Sequence, residues 1–312
     1  MSEPDTDHRP QISTILWITG PDFDPEAWTQ MVGLSPTETG LKGQHRPGRR
    51  PPVPKSFWEL SFIRERGDCI ETGLKKLLDL LWPARVKITH HLKEPLVAGT
   101  FVSNVTIRND GAYLCLTAET VSRLAHFSLD YGIDIFDYRH STDHLPPQDV
   151  SVDTDNDLSA ITSAFVIEAE DFDAGEFAHA TGLLPVSLAV NTSTHARGRG
   201  PSSTLILDLQ NRRLEDIDLG VSELLDLLWS FREPLGAYLK EKSISGRVIS
   251  WVSIHKSRPI YELKADSLRR MAALNLSYCL EIFDYREDKI FLRMEEIFPN
   301  WQSPQGRRPK PS

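Results

Sequence analysis

Cysteine is scarce in this chain, with only Cys69, Cys115 and Cys279 among 312 residues. Their separations do not fit the short pairs that bind zinc or form a redox motif, and three scattered residues make no disulfide framework. This scarcity favours reduced thiols in a cytoplasmic protein. Long apolar runs are also lacking, since no window approaches the roughly eighteen apolar residues of a membrane span.

The N-terminus lacks the basic start and the apolar run of a signal peptide, because Glu3, Asp5 and Asp7 occur there together with prolines. We therefore expect neither secretion nor membrane insertion, and we predict a cytoplasmic protein. Positive charge is also in deficit: 35 Lys and Arg against 44 Asp and Glu give a net charge of −9. That balance makes nucleic acid an unlikely general partner, because nucleic-acid binders usually carry a basic patch or stripe.

Catalytic signatures are missing as well. The sequence has no Gly-x-Ser-x-Gly elbow, no cysteine-protease signature and neither of the glycine-rich patterns that cradle phosphates. Its ten histidines show none of the spacings that bind a metal on one helix or in a zinc finger. The sequence therefore predicts no catalytic residue, metal or cofactor, and it favours a protein that is not an enzyme.

One stretch of the chain occurs twice. The segment 133–139, IDIFDYR, returns at 280–286 as LEIFDYR. The longer segments 118–139 and 265–286 are identical at ten of twenty-two positions under a single offset. Self-similarity of this kind indicates that one structural unit is repeated. We therefore predict an internal duplication.

The duplication sets the predicted domain boundaries. Between the copies lies a stretch with two prolines and five aspartates, which is the composition of a linker. The predicted organisation is a first repeat at 12–139, an acidic linker at 140–160, a second repeat with a C-terminal extension at 161–301 and a disordered tail at 302–312.

Hydrophobic spacing predicts the elements of each copy. Alternating Trp58, Leu60 and Phe62 indicate a strand, whereas leucines at helical spacing through 74–81 indicate a helix. Each copy follows the order strand, helix, strand, helix, two strands, helix, strand. This order predicts an α+β fold in which helices cover a sheet of four to five strands in each of two tandem repeats.

The repeated strand should present two different faces, because side chains alternate along a strand. Ile133 and Ile135 point one way, while Phe136 and Tyr138 point the other. An apolar surface on the second face needs a cover. The simplest cover is the other repeat, which predicts a pseudo-twofold arrangement with function at the seam between the repeats.

The order of these landmarks resembles that of the bacterial domain-of-unknown-function family numbered 4279, here as two tandem copies. In the first copy the resemblance rests on Phe23-Asp24, the exit at 33–36, Lys42-Gly43, Trp58, the leucine-rich helix and the terminal strand ending in Tyr138. In the second copy the Lys-Gly pair is absent and Leu205 replaces Trp58. The resemblance implies a fold for each half, but no established reaction.

A basic loop is the strongest candidate for a binding site. It places five positive charges in a proline-rich segment of an acidic protein, namely Lys42, Arg46, Arg49, Arg50 and Lys55. Such a cluster favours an anionic partner: a phosphate, a nucleic acid or an acidic protein surface. The alternative interpretation is a solvated loop without a partner.

The repeated strand supplies a second set of candidates. Asp137 and Arg139 recur as Asp284 and Arg286. They could form a binding pair at the end of a sheet, or a structural ion pair that closes a strand. The repetition is compatible with both interpretations.

Three functional hypotheses follow from these observations. The first is a non-catalytic cytoplasmic binding protein, in particular a toxin-neutralising immunity protein, because net acidity suits a basic toxin surface. The second is an enzyme that binds a small ligand or a phosphate at the seam between the repeats. The third is nucleic-acid binding through the basic loop.

Overall fold

The computed structural model describes residues 11–45, 51–66, 69–94, 96–107, 112–137, 160–169, 172–183, 187–189, 203–208, 216–254 and 260–284. The strands are β1 Gln11–Gly20, β2 Glu38–Gly40, β3 Ser56–Arg66, β4 Ala98–Ile107, β5 Ala112–Leu116, β6 Asp130–Asp137, β7 Ala160–Ala169, β8 Ser187–Ala189, β9 Ser203–Asp208, β10 Gly246–Ile254, β11 Ile260–Leu263 and β12 Ser277–Asp284. The helices are α1 Pro25–Val32, α2 Ile70–Leu81, α3 Arg85–His91, α4 Ala118–Phe127, α5 Ala174–Thr181, α6 Ile217–Trp229, α7 Arg232–Lys242 and α8 Ala265–Ala273, with a 3₁₀ turn at Trp82–Ala84. The predicted α+β class is confirmed.

The chain folds into two compact units that do not follow chain order. Unit 1 comprises Met1–Asp110, Leu114–Val150 and Arg258–Ala273, and unit 2 comprises Gly111–Tyr113, Ser151–Ser257 and Leu274–Ser312. One six-stranded sheet has the order β11-β6-β4-β1-β3-β2, and the other has the order β5-β12-β10-β7-β9-β8. The prediction of four to five strands per sheet is therefore wrong.

Two physical reasons account for the extra strands. The strands β2 and β8 span three residues each, which is too short for an alternating pattern to be recognised. The strand β11 pairs with β6 from a distant part of the chain, with Tyr261 opposite Ile133. Residues far apart in sequence meet there, and no local pattern reports such a pairing.

Helix α1 begins and ends as its sequence predicts. The Asp24 carboxylate caps it by accepting hydrogen bonds from the backbone N–H groups of Glu26 and Ala27, at 2.9 and 3.2 Å. Pro25 occupies the first helical position, where no N–H is needed. Gly33 ends the helix with φ of 73°, a left-handed conformation that glycine adopts without strain. An aspartate N-cap, Asp173, and a glycine C-cap, Gly182, also bound α5 in unit 2, where Ala174 takes the first helical position.

The core of unit 1 lies between the helices and one face of its sheet. Leu16 and Ile18 of β1 are fully buried, and so are Trp58 of β3 and Phe101 of β4. Helix α2 packs on β1 and β3 and buries Leu74, Leu77, Leu78 and Leu81. On the opposite face, side chains of β1 and β4 are half-buried or exposed. We call this second surface the open face of unit 1.

The alternation predicted for the repeated strand is confirmed in β6. Ile133 and Ile135 are buried, and the parallel register places Ile135 beside buried Val105 on the core face. Phe136 lies beside Thr106 on the open face and is half-buried. The strand therefore contributes core from one face only.

The remaining predictions have mixed outcomes. Cys69 is free, but Cys115 and Cys279 are disulfide-bonded, so the expectation of reduced thiols is wrong for these two. Within the described ranges, no helix is long and apolar enough to cross a membrane. The predicted tail at 302–312 lies outside the described residues, and so does the predicted linker except for Ala160, where β7 begins.

Candidate functional site

An exposed tryptophan lies on the open face of unit 1. Trp17 is 37% exposed, although its neighbours Leu16 and Ile18 are fully buried. The alternation of β1 causes this difference, because Trp17 points away from the helices. Its indole stacks on the ring of Phe57, with centroids 5.0 Å apart and planes inclined by 23°. The result is a supported aromatic platform at the surface.

Acidic residues continue from Trp17 across the sheet. Glu59 of β3 lies directly opposite Trp17, and Glu38 of β2 lies directly opposite Glu59. On the other side, Thr100 of β4 is the direct neighbour of Trp17. Directly paired residues share a face of the sheet. Thr100, Trp17, Glu59 and Glu38 therefore form one row on the open face, which we call the Trp17 row.

A glycine makes room for the platform. Gly40 of β2 lies opposite Phe57 in the strand register. A Cβ atom at Gly40 would lie 2.3 Å from Cε1 of the Phe57 ring. No real Cβ tolerates such a distance, so only glycine lets the Phe57 ring lie over β2 and support Trp17.

The structure describes only the two ends of the basic loop, residues 41–45 and 51–55, which we call its neck. Lys42 and Lys55 are both exposed there. Backbone hydrogen bonds join Gly43 N–H to the Val53 carbonyl and Val53 N–H to the Gln44 carbonyl, at 2.8 and 3.0 Å. The neck therefore extends the hairpin of β2 and β3. Arg46, Arg49 and Arg50 lie outside the described residues.

The candidates in the repeated strand are placed only by their backbone. Asp137 and Asp284 are the last residues of β6 and β12. Arg139 and Arg286 lie outside the described residues. Neither interpretation of these residues is tested by the geometry, and both stay open as predictions.

A cavity of about 360 Å³ opens in unit 1 where α1, α3 and the turn before β4 meet. Its apolar part consists of aromatic, aliphatic and thioether side chains: Phe23, Ala27, Trp28, Met31, Leu96 and Val97. Its charged part consists of Asp22, Asp24, Glu94 and the titratable His91. No Lys or Arg stands among the described lining residues, so the cavity has an acidic balance.

Two tryptophans beside this cavity differ in their hydrogen bonding. The Nε1–H of Trp58 donates to Oγ1 of Thr29 at 3.1 Å. The Nε1–H of Trp28 is buried and has no hydrogen-bond partner among the described residues. Trp28 is only 5% exposed, and a buried donor without a partner costs about 1–3 kcal/mol.

His91 and Glu94 form one wall of the cavity. The imidazole Nδ1 of His91 lies 2.7 Å from Oε1 of Glu94. The same imidazole meets the Trp28 indole at an interplanar angle of 73°, with ring centroids 6.2 Å apart. These contacts fix the His91 ring between a carboxylate and an aromatic side chain.

A second polar cluster in unit 1 has a structural role. The Glu71 carboxylate accepts hydrogen bonds from the Thr117 backbone N–H and hydroxyl and from the Thr120 hydroxyl. Burial raises the pKa of Glu71, but these hydrogen bonds, with the charge of Lys75, outweigh it and lower the pKa overall. Because Thr117 is also the N-cap of α4, Glu71 anchors that helix to α2.

The described residues contain no group of three or more His, Cys, Asp or Glu side chains that could hold a metal ion. Sequence reasoning identified neither Trp17 nor the cavity as a candidate site. For Trp17 the signal was masked, because it lies in the continuous apolar run of residues 15–18, which does not tell the two faces of the strand apart. For the cavity no signal existed, because Asp22 and Glu94 are distant in sequence and only the fold brings them together.

Comparison with known proteins adds one family. Residues 10–138 are similar to a family described as "Domain of unknown function (DUF4279)". The matched segment includes Trp17, Trp28 and His91, and it coincides with the first predicted copy. A comparison with curated proteins finds no match to the chain.

Proposed function

We propose that this protein is a non-catalytic binding protein that recognises a basic surface of a partner protein through the Trp17 row. The observation that carries the proposal is the pairing of exposed Trp17 with Glu59. Tryptophan is enriched among the residues that dominate protein–protein affinity, because its large ring buries much apolar area with few torsions to fix. An exposed, supported indole is therefore a natural anchor.

Charge gives the class of partner. Glu59 and Glu38 follow Trp17 along the row, and the whole chain carries a net charge of −9. Like charges across an interface cost several kcal/mol, whereas complementary fields speed the encounter. An acidic rim beside an aromatic anchor thus selects a basic partner. A basic toxin neutralised by an immunity protein is a partner of this class.

We further propose that the chain contains two tandem copies of the matched domain. The identity between 118–139 and 265–286 supports this proposal, and so does the equivalent place of β6 and β12 in their sheet orders. The pseudo-twofold relation between the copies stays a prediction.

Site-specific photo-crosslinking tests the binding function. The full chain carries a photoreactive amino acid in place of Thr100, the direct neighbour of Trp17 in the row, and is expressed in its native host. The matched control carries it in place of Val86, which is 68% exposed on α3. We expect one discrete adduct with a basic protein at position 100 only, and its loss in a Trp17→Ala or Glu59→Lys background. Adducts of equal yield at both positions, or no adduct at position 100, would overturn the proposal.

A further inference from the structure

We infer that the cavity of unit 1 binds a small organic cation with an apolar body, such as an alkylammonium or arylalkylammonium ion. This site is separate from the Trp17 row and does not depend on a protein partner. Its volume of about 360 Å³ lies in the range of roughly 300–1,000 Å³ that is common for small-molecule sites.

The sign of the ligand charge follows from the lining. Asp22, Asp24 and Glu94 contribute three carboxylates against the single imidazole of His91. The N-terminus of α1 also faces this region, and a helix N-terminus attracts anions with only about half an elementary charge. Asp24 already occupies it by accepting two of its N–H groups. The carboxylates therefore prevail, and the cavity selects a cation.

The apolar body of the ligand follows from the remaining walls of the cavity. Phe23, Trp28 and Met31 present aromatic and thioether surface to the cavity, and such surface favours alkylammonium groups over hydrated inorganic cations. The buried Nε1–H of Trp28 lacks a partner among the described residues. That nitrogen is shielded by its neighbours, so Trp28 contributes the surface of its ring to the cavity.

In unit 2, the side chain of Lys242 places an ammonium group where α5 and α7 meet. The Lys242 ammonium lies 2.5 Å from Oε1 of Glu176 and 6.0 Å from the centroid of the Tyr238 ring. Tyr238 in turn meets Phe177 edge to face, at a centroid distance of 5.3 Å. A carboxylate and a tyrosine ring, from two helices, thus hold an ammonium group within this same chain.

The cavity of unit 1 has a related set of groups, but no lysine among its described lining residues. The Trp28 ring meets His91 there as the Phe177 ring meets Tyr238 in unit 2. Carboxylates are supplied by Asp22 and Glu94. An external ammonium group can therefore take the place that Lys242 occupies in unit 2.

The test is titration of the full chain with choline, n-butylammonium and benzylammonium, each beside its uncharged carbon isostere. Binding is followed by the ¹H–¹⁵N signal of the Trp28 indole, assigned by Trp28→Phe, with the Trp58 indole as an internal reference. We expect saturable binding of at least one cation, at least ten-fold tighter than its isostere. The bound cation should move the Trp28 signal more than that of Trp58, because Trp28 lines the cavity.

Variants separate the site from general charge effects. Asp22→Asn removes an exposed carboxylate of the cavity and should weaken the cation at least five-fold, whereas Glu233→Gln in unit 2 and Trp17→Ala should leave the affinity within two-fold. Equal thermal melting of the variants verifies folding. The inference is overturned if no cation binds saturably, if an isostere binds equally well, or if Asp22→Asn has no effect.

Discussion

Trp17 lies directly opposite Glu59 in the antiparallel pair of β1 and β3. The pairing places an aromatic ring and a carboxylate side by side on the open face of unit 1, while the flanking residues of β1 are buried among core side chains. The alternation of a single strand thus separates two roles. Residues at even positions stabilise the unit, and Trp17 is left for recognition.

Because the Phe57 ring supports Trp17, we predict that substitution of Gly40 destabilises unit 1. Gly40→Ala would place a Cβ 2.3 Å from the Phe57 ring, so the ring must shift and Trp17 loses the surface on which it stacks. We expect a loss of about 1–3 kcal/mol in the free energy of unfolding, as for overpacking. Urea denaturation measures the loss, and a change in tryptophan emission reports the displaced indole.

Gly236→Ala is the matched control. A Cβ at Gly236 meets no atom within 4 Å, and α7 gains a better helix former, so stability should rise by up to about 1 kcal/mol. If Gly40→Ala unfolded at the same urea concentration as the wild type with unchanged emission, the account of the platform would be wrong.

We predict that the Glu71 carboxylate anchors α4 to α2 and that acid weakens this anchor. Glu71→Ala leaves the Thr117 N–H and the Thr120 hydroxyl without their acceptor, which should cost about 1–3 kcal/mol of stability. Lys75→Ala is the control, because its ion pair with Glu71 spans one helical turn at 3.4 Å and should contribute less than about 0.5 kcal/mol.

The pH dependence of this anchor has a definite sign. Hydrogen bonds hold the folded pKa of Glu71 below its ordinary value of 4.5. Its stabilisation is therefore present above pH 4.5 and is lost as the pH falls through the lower folded pKa. Thermal melts of the wild type and of Glu71→Gln should converge on acidification. A stability difference that stayed constant as the pH fell below 4.5 would contradict the role of the carboxylate.

We predict that the Asp130 carboxylate holds the start of α8 in unit 1. Its carboxylate accepts from the Ala265 N–H at 2.8 Å, at the start of α8, and lies 3.2 Å from Nζ of Lys264. Asp130→Ala should cost about 1 kcal/mol, the typical value of an N-cap, and should speed hydrogen exchange in α8. Asp266→Ala is the control, because in the described part of the chain Asp266 pairs only with exposed Arg269. Unchanged exchange in α8 of Asp130→Ala would rule out this clamp.

Local chemistry made part of the fold predictable. An aspartate, a proline and a glycine bound α1, and each acts through its own backbone conformation or its nearest N–H groups. The strand β11 was different. Its residues form a recognisable strand, but their partner is β6, more than a hundred residues away, and edge pairing depends on the whole tertiary arrangement.

The candidate sites were less predictable than the fold. The basic loop is conspicuous because its charges are adjacent in sequence, yet only Lys42 and Lys55 lie in the described part of the chain. The cavity combines Asp22, Trp28 and Glu94, whose spacing has no period. Trp28 in particular belongs to the apolar face of α1, and the burial of its Nε1 without a partner among the described residues depends on neighbours that only the folded chain provides.

The affinity of the partner identified by crosslinking tests the central claim most directly. Calorimetric titration at low salt should show that Trp17→Ala weakens binding by about thirty-fold or more, as expected for an anchor that contributes about 2 kcal/mol. Glu59→Lys should slow association, and Val86→Ala should bind within two-fold of the wild type. Wild-type affinity in Trp17→Ala would contradict the proposed recognition of a basic partner through the Trp17 row.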